Sequence, residues 1–370
     1  MYGDFSEKLA KLAVNYAVNV QKGDKVQING AANAENLLRE IYREVIKAGG
    51  HILRMNVSLP GFQEIYYKNA TEEQIKYVDD IFYEFNKKIT KVIFISSAYN
   101  TRSLTNIDPK LLAMEKEALK GLNELFMKRA AEGKVDWIIC PYPNFSMAQE
   151  ANMGSEEYKE FVYKSLALDK SDPVKHWKKV EKEQDEITKI LDKGSEFQII
   201  GEDTDLVLGI KGRKWINCCG HKNLPDGEVF VSPIEDAVNG TIRFTYPGIY
   251  MGREIENIWL KFKDGQVVDY KAEKGKDVLD KVLELENAKI LGELAVGTNY
   301  GIQRFTKNML FDEKMGGTVH LALGSGFPES GSKNVSPIHW DILKDMKSKD
   351  SKILLDGEEI YKVGKWLIPK

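Results

Sequence analysis

The first half of the chain alternates between segments with helical spacing of apolar residues and short segments that suit β-strands. Helical spacing occurs from Leu9 to Ala17, from Glu35 to Gly50 and around Leu111 to Ala131. Glycines end the second of these predicted helices. Strands are predicted at residues 25–30, 51–57, 91–98 and 135–143, and the last two are nearly continuous in apolar residues, as buried parallel strands are. Strands that alternate with helices predict a mainly parallel sheet covered by helices.

The pattern changes after a charged predicted helix at Ser171 to Gly194. From Glu196 onward, short alternating strands are separated by Gly, Asp-Gly and Asn-Gly turns. Helical spacing returns over Lys276 to Gly297. We therefore predict two domains: an α/β domain with a mainly parallel sheet at residues 1–194, and an α+β, largely antiparallel domain at residues 195–370.

Composition supports two folded domains and excludes some partners. The chain has 370 residues, of which 42% are hydrophobic and 29% charged, so it can form a substantial core. The net charge of −3 gives no basic field for nucleic acid, and the sequence lacks an apolar stretch long enough to span a membrane. Three cysteines do not form a disulfide framework, and the N-terminal segment lacks the apolar run of a signal peptide. We expect a cytoplasmic protein with reduced thiols.

Candidate chemistry is concentrated in the predicted second domain, where four carboxylates and two histidines stand in glycine-rich, strongly patterned sequence. These residues are Glu228, Glu293, Glu313, His320, His339 and Asp341. Four carboxylates carry about four negative charges, which two divalent cations would neutralise, whereas a buried cluster without cations would repel itself. The sequence therefore predicts a hydrolase with two metal ions.

The local context of the histidines favours this prediction only in part. In the segment SPIHWD, an extended strand would place His339 and Asp341 on one face and Trp340 on the other, against the core. Such a pair is a good half-site for Zn²⁺, Co²⁺ or Mn²⁺, but it is also common on metal-free surfaces. His320 lies in an apolar predicted strand, where a hydrogen-bonded core histidine is common. Glu313 precedes it across a Gly-Gly turn that would bring the two residues together.

The other two glutamates are less distinctive when each is considered alone. Glu293 lies at a predicted helix end or strand start in AKILGELAVG, and Glu228 follows a Pro-Asp-Gly turn. Each would suit an exposed position, although glutamate is rarely buried unless it is paired. A zinc knuckle at Cys218, Cys219 and His221 lacks a second pair of ligands.

Several long segments together resemble a known family. They include NLPDGEVFVSP, LGELAVGTNYGIQRFTKNMLFDEK, GTVHLALGSGFPESG and SPIHWD, and the resemblance extends over the whole chain. The sequence is similar to the thermophilic aminopeptidase T / aminopeptidase S family of dinuclear metallo-aminopeptidases, which are leucyl aminopeptidase-like. The resemblance implies a cytoplasmic, homodimeric exopeptidase that removes N-terminal, preferably apolar residues from peptides.

The resemblance also implies a set of site residues. The metal ligands would be Glu228, Glu293, Glu313, His320, His339 and Asp341. They would hold two divalent ions (Zn, Co, Mn or Mg), and Glu293 is assigned the catalytic position, as the carboxylate that bridges the ions. No membrane or nucleic-acid partner is expected.

The sequence departs from the family pattern at two places. The family commonly has two fewer residues between the glutamate that corresponds to Glu313 and the histidine that corresponds to His320. Phe327 stands where the family commonly has a tyrosine that donates a hydrogen bond in the transition state, and Tyr300, Arg304 or Lys307 would be alternative donors. Phe327 keeps open a catalytically weak protein that binds metal or peptide. A metal-dependent amidohydrolase of small amides also stays open, because ligand chemistry alone does not separate it from a peptidase.

Overall fold

The computed structural model describes residues 4–369, which divide into two compact units. The first unit comprises the chain up to Val174 together with Gly220–Pro225, and the second comprises Lys175–Cys219 together with the chain from Asp226 onward. The helix at Pro173–Leu191 belongs almost entirely to the second unit. The domain limits given above, 1–194 and 195–370, stay a prediction.

The first unit contains one four-stranded parallel sheet with the strand order β2-β1-β3-β4. The strands are β1 Lys25–Ala31, β2 His51–Ser58, β3 Lys91–Ser96 and β4 Asp136–Pro141. The α-helices are α1 Phe5–Leu12, α2 Glu35–Lys47, α3 Phe62–Asn69, α4 Glu72–Lys76, α5 Asp80–Lys88, α6 Pro109–Ala118, α7 Lys120–Ala131, α8 Phe145–Glu150 and α9 Ser155–Ser165. This arrangement confirms the predicted parallel sheet with intervening helices.

Helix α2 shows how the sequence forms this unit. Its buried residues Leu37, Leu38, Ile41 and Val45 recur at helical spacing and form one apolar stripe. The helix is followed by Gly49, whose φ of 82° is accessible to glycine at little cost, so the chain can turn into β2.

The second unit is built from antiparallel strands and three α-helices. The helices are α10 Pro173–Leu191, α11 Lys276–Leu283 and α12 Met309–Asp312. The strands are β5 Glu196–Gly201, β6 Thr204–Gly209, β7 Ile216–Cys218, β8 Glu228–Val231, β9 Val238–Arg243, β10 Gly248–Tyr250, β11 Arg253–Ile255, β12 Trp259–Lys263, β13 Gln266–Lys271, β14 Leu291–Gly297, β15 Thr318–Gly324, β16 His339–Asp345, β17 Lys352–Leu355, β18 Glu358–Lys362 and β19 Lys365–Trp366.

Two large sheets share the hydrophobic core of this unit. One has eight strands in the order β13-β12-β9-β6-β5-β17-β18-β19, and the other has five in the order β16-β15-β14-β8-β7. Every strand pairing in both sheets is antiparallel, which confirms the predicted α+β character. Between residues 4 and 369, no helix has both the length and the apolar character that a membrane span requires.

The helical prediction over Lys276 to Gly297 is wrong in its second half. Helix α11 ends at Leu283, and residues 291–297 form strand β14 in the middle of the five-stranded sheet. All seven residues of β14 are buried. A short run that is apolar on both faces has no clear periodicity, so pairing with β8 and β15 decides its conformation.

Candidate metal centre

Five of the six candidate residues lie on one face of the five-stranded sheet. Successive side chains of a strand point to opposite faces. In β14, Leu294 and Val296 enter the hydrophobic core, so Glu293 points to the opposite face. The same alternation in β8, β15 and β16 turns Glu228, His320, His339 and Asp341 to this opposite face, because their neighbours in sequence are core residues.

Strand register brings these side chains together around small residues. Ala322 of β15 lies between Glu293 of β14 and Asp341 of β16, and Ala295 of β14 lies beside His320. Because alanine fills little space above the sheet, the larger polar side chains on either side can approach each other. The centre therefore depends on pairing between strands that are far apart in sequence.

Glu228, Glu293 and His320 form a first group of potential ligands. One donor atom from each lies within 4.8 Å of the other two. His320 Nε2 is 3.4 Å from Glu228 Oε2 and 3.6 Å from Glu293 Oε1. All three residues are buried, with no more than 4% exposure, so their charges are weakly screened by water.

Glu293, His339 and Asp341 form a second group with the same spacing. His339 Nε2 lies 3.0 Å from Glu293 Oε2 and 3.5 Å from Asp341 Oδ1. The other ring nitrogen, Nδ1, is 2.8 Å from the backbone carbonyl oxygen of Ser325, which orients the ring so that Nε2 faces the carboxylates. Glu293 belongs to both groups, with a different oxygen directed to each histidine.

The donor atoms fit a divalent cation. Glu228 Oε2 and Asp341 Oδ1 are buried and have no hydrogen-bond partner among residues 4–369. Buried carboxylate oxygens normally accept hydrogen bonds or coordinate metals. Carboxylate oxygens and imidazole nitrogens are suitable ligands for Zn²⁺ and related ions.

The electrostatics of the metal-free cluster agree with this chemistry. Burial alone would raise the pKa of Glu293, but hydrogen bonds from His320 and His339 outweigh burial and lower it to about 2. Burial would lower the pKa of both histidines, yet the neighbouring carboxylates raise the pKa of His320 to about 9 and that of His339 to about 11. Without metal, two imidazolium groups thus supply part of the positive charge that the carboxylates require.

Glu313 lies beside this cluster but outside both groups. It follows α12, and its Oε1 is 2.7 Å from the ammonium of Lys314. The same ammonium contacts Glu228 Oε1 and lies 3.7 Å from Asp226 Oδ1. The structure therefore connects Glu313 to the other predicted residues through a lysine.

Lys314 and Asp226 are residues of this centre that the sequence analysis missed. Their side chains are only 2% and 3% exposed. Lys314 follows Glu313 directly in the segment FDEK, which is one of the segments similar to the family, so its position was a usable signal. Asp226 lies in a Pro-Asp-Gly turn, a context typical of exposed residues, and gave no such signal.

Helix α10 supports the centre from outside the sheet. Its Gln184 donates hydrogen bonds to the carbonyl oxygens of Cys218, at 3.0 Å, and of Glu228, at 2.9 Å. Thr298 Oγ1 donates to Gln184 Oε1 at 2.7 Å. This one side chain thus holds the edge strand β7, the start of β8 and the end of β14 in place.

Phe327 lies at the centre, where the resemblance implies a tyrosine. Its ring centroid is 5.1 Å from that of His339 and 4.8 Å from that of Phe230. Two of the suggested alternative donors are engaged elsewhere: the Tyr300 hydroxyl donates to the Gly364 carbonyl oxygen at 2.8 Å, and Lys307 pairs with Glu254.

Comparison with known proteins shows a family match along nearly the whole chain. The family model described as thermophilic metalloprotease (M29) matches residues 4–366. Aminopeptidase AmpS of Bacillus subtilis is 29% identical over 98% of this chain and 99% of its own. Aminopeptidase T of Thermus thermophilus is 24% identical over 98% of each chain.

Two solved structures share the fold. Wild-type AmpT from Thermus thermophilus has a TM-score of 0.82 and 21% identity over all of both chains. A 2,5-dihydroxypyridine dioxygenase from Pseudomonas putida KT2440 has a TM-score of 0.59 and 12% identity over 99% of this chain and 97% of its own. Since the second protein is an oxygenase, the fold alone does not determine the reaction, and the side chains have to be considered.

Proposed function

Because the chain belongs to the thermophilic metalloprotease (M29) family, we propose that the acidic face of its five-stranded sheet is the catalytic centre of a metal-dependent aminopeptidase. Family membership and the similar aminopeptidases make the protein a hydrolase of the metallo-aminopeptidase class. The residues that hold the metal, the number of ions and the substrate preference are our proposal.

One observation carries the proposal: the Glu293 carboxylate is common to two groups of ligand atoms. Its Oε1 is directed to His320, beside Glu228, and its Oε2 is directed to His339, beside Asp341. A carboxylate with one oxygen in each of two adjacent groups is suited to hold two cations close together. We therefore assign Glu293 the bridging position.

The proposed ligand set contains four carboxylates and two imidazoles. It consists of Glu228, Glu293, Glu313, His320, His339 and Asp341. This set accepts Zn²⁺, Co²⁺, Mn²⁺ or Mg²⁺. When bound, two such ions would lower the pKa of water and polarise a peptide carbonyl group.

The chain's own side chains would select and orient the substrate. The free α-amino group of a peptide would be held by a bound ion or by a cluster carboxylate oxygen that no ion occupies, so a blocked N-terminus would be excluded. The rings of Phe230 and Phe327 lie against each other beside His339 and offer apolar surface. This surface supports a preference for apolar N-terminal residues.

The proposed function is tested with leucine p-nitroanilide and its N-acetyl derivative. We expect hydrolysis of the free amine, loss of this activity after chelation, recovery on return of zinc or cobalt, and no hydrolysis of the acetylated compound. Equal cleavage of both compounds would contradict an exopeptidase. Preferential cleavage of N-acylated or cyclic amides would instead favour an amidohydrolase of small amides.

A second candidate is a family member that binds peptide and metal with little turnover, and Phe327 favours it. The Phe327 ring packs against His339, so a tyrosine at this position would add a hydroxyl donor to the centre, whereas phenylalanine has none. Loss of one transition-state donor typically lowers kcat about 10²–10³-fold. Phe327→Tyr should therefore raise kcat by at least about tenfold, whereas Phe305→Tyr, where the ring stacks on Tyr246, should leave it unchanged. An unchanged kcat in Phe327→Tyr would exclude the missing hydroxyl as the cause of slow turnover.

Assembly and location complete the proposal. The family resemblance implies a homodimer, which light scattering coupled to size-exclusion chromatography would detect as a mass twice that of the chain. The free cysteines Cys140, Cys218 and Cys219 are compatible with a reducing compartment, and we propose a cytoplasmic location on that ground.

A further inference from the structure

Lys314 is a buried lysine that the proposed function leaves without a role. Its side chain is 2% exposed, and its ammonium lies among the carboxylates of Glu228, Glu313 and Asp226. A buried ammonium is strongly unfavourable unless it is compensated by charge and hydrogen bonds. Here three carboxylates provide that compensation.

The backbone around Lys314 fixes the position of its side chain. The Lys314 carbonyl oxygen accepts a hydrogen bond from Asn299 N at 3.0 Å, and its N–H donates to the Phe311 carbonyl oxygen at 3.1 Å. Asn299 Nδ2 also donates to the Asp226 carbonyl oxygen at 2.8 Å. The lysine and one of its carboxylate partners are therefore held by the same asparagine.

The charges of the enlarged cluster balance when Lys314 is included. Asp226, Glu228, Glu293, Glu313 and Asp341 would carry five negative charges, and Lys314 carries one positive charge. The remaining four negative charges are matched by two divalent cations when the histidines are neutral ligands. Without the lysine, one carboxylate would lack a compensating charge.

We propose that Lys314 is a permanent cation of this centre, whose ammonium occupies a position that would otherwise bind a third divalent ion. The inference rests on the proposed function, because it assumes that the neighbouring groups bind two ions. Lys314 is thus a positioning residue that holds Glu228 and Glu313 and limits the number of ions.

The position that Lys314 occupies is lined by suitable metal ligands. One donor atom each from Cys218, Asp226 and Glu228 lies within 4.8 Å of the other two. Glu313 adds a further carboxylate oxygen, 2.7 Å from the ammonium. Thiolate and carboxylate ligands together are compatible with zinc. Removal of the lysine side chain should therefore convert the position into a metal site.

The first experiment compares the zinc content of wild type, Lys314→Ala and Lys344→Ala. Lys344 is a matched control, since it is 1% exposed and donates to the carbonyl oxygens of Glu202 and Arg243. After equilibration with zinc and gel filtration, elemental analysis should give about three ions per chain for Lys314→Ala and about two for the other proteins. The same ratio in Lys314→Ala and wild type would overturn the inference.

A second experiment tests the charge without depending on ion counts. In metal-free protein, Lys314→Met should lower the melting temperature, and adding Asp226→Asn should restore most of the loss, because it removes the extra negative charge. If Lys314→Met alone does not fold, recovery of a folded protein by the double substitution would equally support Lys314 as a compensating cation. No recovery from Asp226→Asn would overturn the role of Lys314 as a compensating cation.

The two experiments separate failure of the inference from failure of the proposed function. Two ions in both wild type and Lys314→Ala would overturn only the role of Lys314. A wild-type protein that binds no zinc, cobalt, manganese or magnesium would overturn the metal centre and the inference together.

Discussion

At the scale of single residues, the centre is a balance of charges rather than a set of isolated ligands. Glu293 is stabilised as a carboxylate by His320 and His339, and the pKa of both imidazoles is raised in return. Histidine must be neutral to coordinate a metal. Protons and metal ions would therefore compete for the same two side chains at the proposed centre.

This competition predicts proton release when metal binds. Well below pH 9, His320 and His339 are protonated in the metal-free protein, and Glu228, whose pKa burial raises to about 7, is protonated in part. Zinc binding at pH 7 should therefore release two or more protons, and zinc affinity should rise with pH. Titration calorimetry in buffers with different ionisation enthalpies measures the number released. A binding heat that is independent of the buffer would contradict the prediction.

The bridging position that we propose for Glu293 predicts a large effect of a small change. Glu293→Gln retains the shape of the side chain but removes its charge. It should lower kcat/KM by on the order of 10²-fold or more, and it should also lower the number of metal ions bound per chain. Glu284→Gln is a suitable control, because Glu284 is an exposed glutamate paired with Lys281. Full metal content and activity in Glu293→Gln would show that another residue bridges the ions.

At the scale of secondary-structure elements, alternation along four strands forms the centre. Residues of β8, β14, β15 and β16 alternate between the hydrophobic core and the acidic face. A shift of one residue in the pairing of β15 would turn His320 into the core and Leu321 to the ligands. Packing of the hydrophobic core and the geometry of the proposed ligands therefore require the same pairing register of β15 with its neighbouring strands.

Helix α10 adds a prediction at this scale, through Gln184. Gln184→Leu removes the hydrogen bonds of its side-chain amide to the carbonyl oxygens of Cys218 and Glu228 and the acceptor of the Thr298 hydroxyl, which should cost about 1–3 kcal/mol in the free energy of unfolding. Urea denaturation measures this change. Gln198→Leu, which removes only a surface contact with Asp205, should change it by less than about 0.5 kcal/mol. Equal values for the two variants would contradict a supporting role for Gln184.

Strand β14 shows where prediction from sequence fails at this scale. The segment from Lys276 to Gly297 has apolar residues that suit a helix throughout, yet only Lys276–Leu283 is helical. The central position of β14 in the sheet provides two hydrogen-bonded neighbours, and this tertiary context overrides local spacing. Local sequence therefore leaves Glu293 at either a helix end or a strand start, and pairing with β8 and β15 decides for the strand.

At the scale of the whole molecule, binding of metal at the proposed centre would be coupled to folding of the second unit. The proposed ligands come from strands and loops that span residues 228–341, so the unfolded chain would have no preformed site. An ion that binds only the folded state stabilises that state, and the stabilisation increases with the ratio of the ion concentration to Kd.

This coupling predicts that chelation destabilises the protein. At a metal concentration of about 1,000 times Kd, binding contributes about 4 kcal/mol, so removal of the metal should lower the melting temperature by at least about 5 °C. Calorimetry before and after chelation measures the change, and readdition of zinc should reverse it. A melting temperature that is insensitive to chelator and to zinc would contradict a site built from these distant strands.

The sequence by itself determined the α/β and antiparallel parts of the chain. Hydrophobic periodicity is a local property, so it can be recognised within each segment without knowing which other segments it packs against. It also supplied the six candidate ligands, through their charge and the quoted segments. Only the tertiary structure decided that Glu293 lies on a strand with one oxygen directed to each histidine, and that Lys314 and Asp226 are buried beside them. These contacts join residues that are distant in sequence, such as Glu228 and Lys314, which are 86 positions apart. Because such proximity depends on strand register and not on local pattern, no inspection of the separate segments would have provided it.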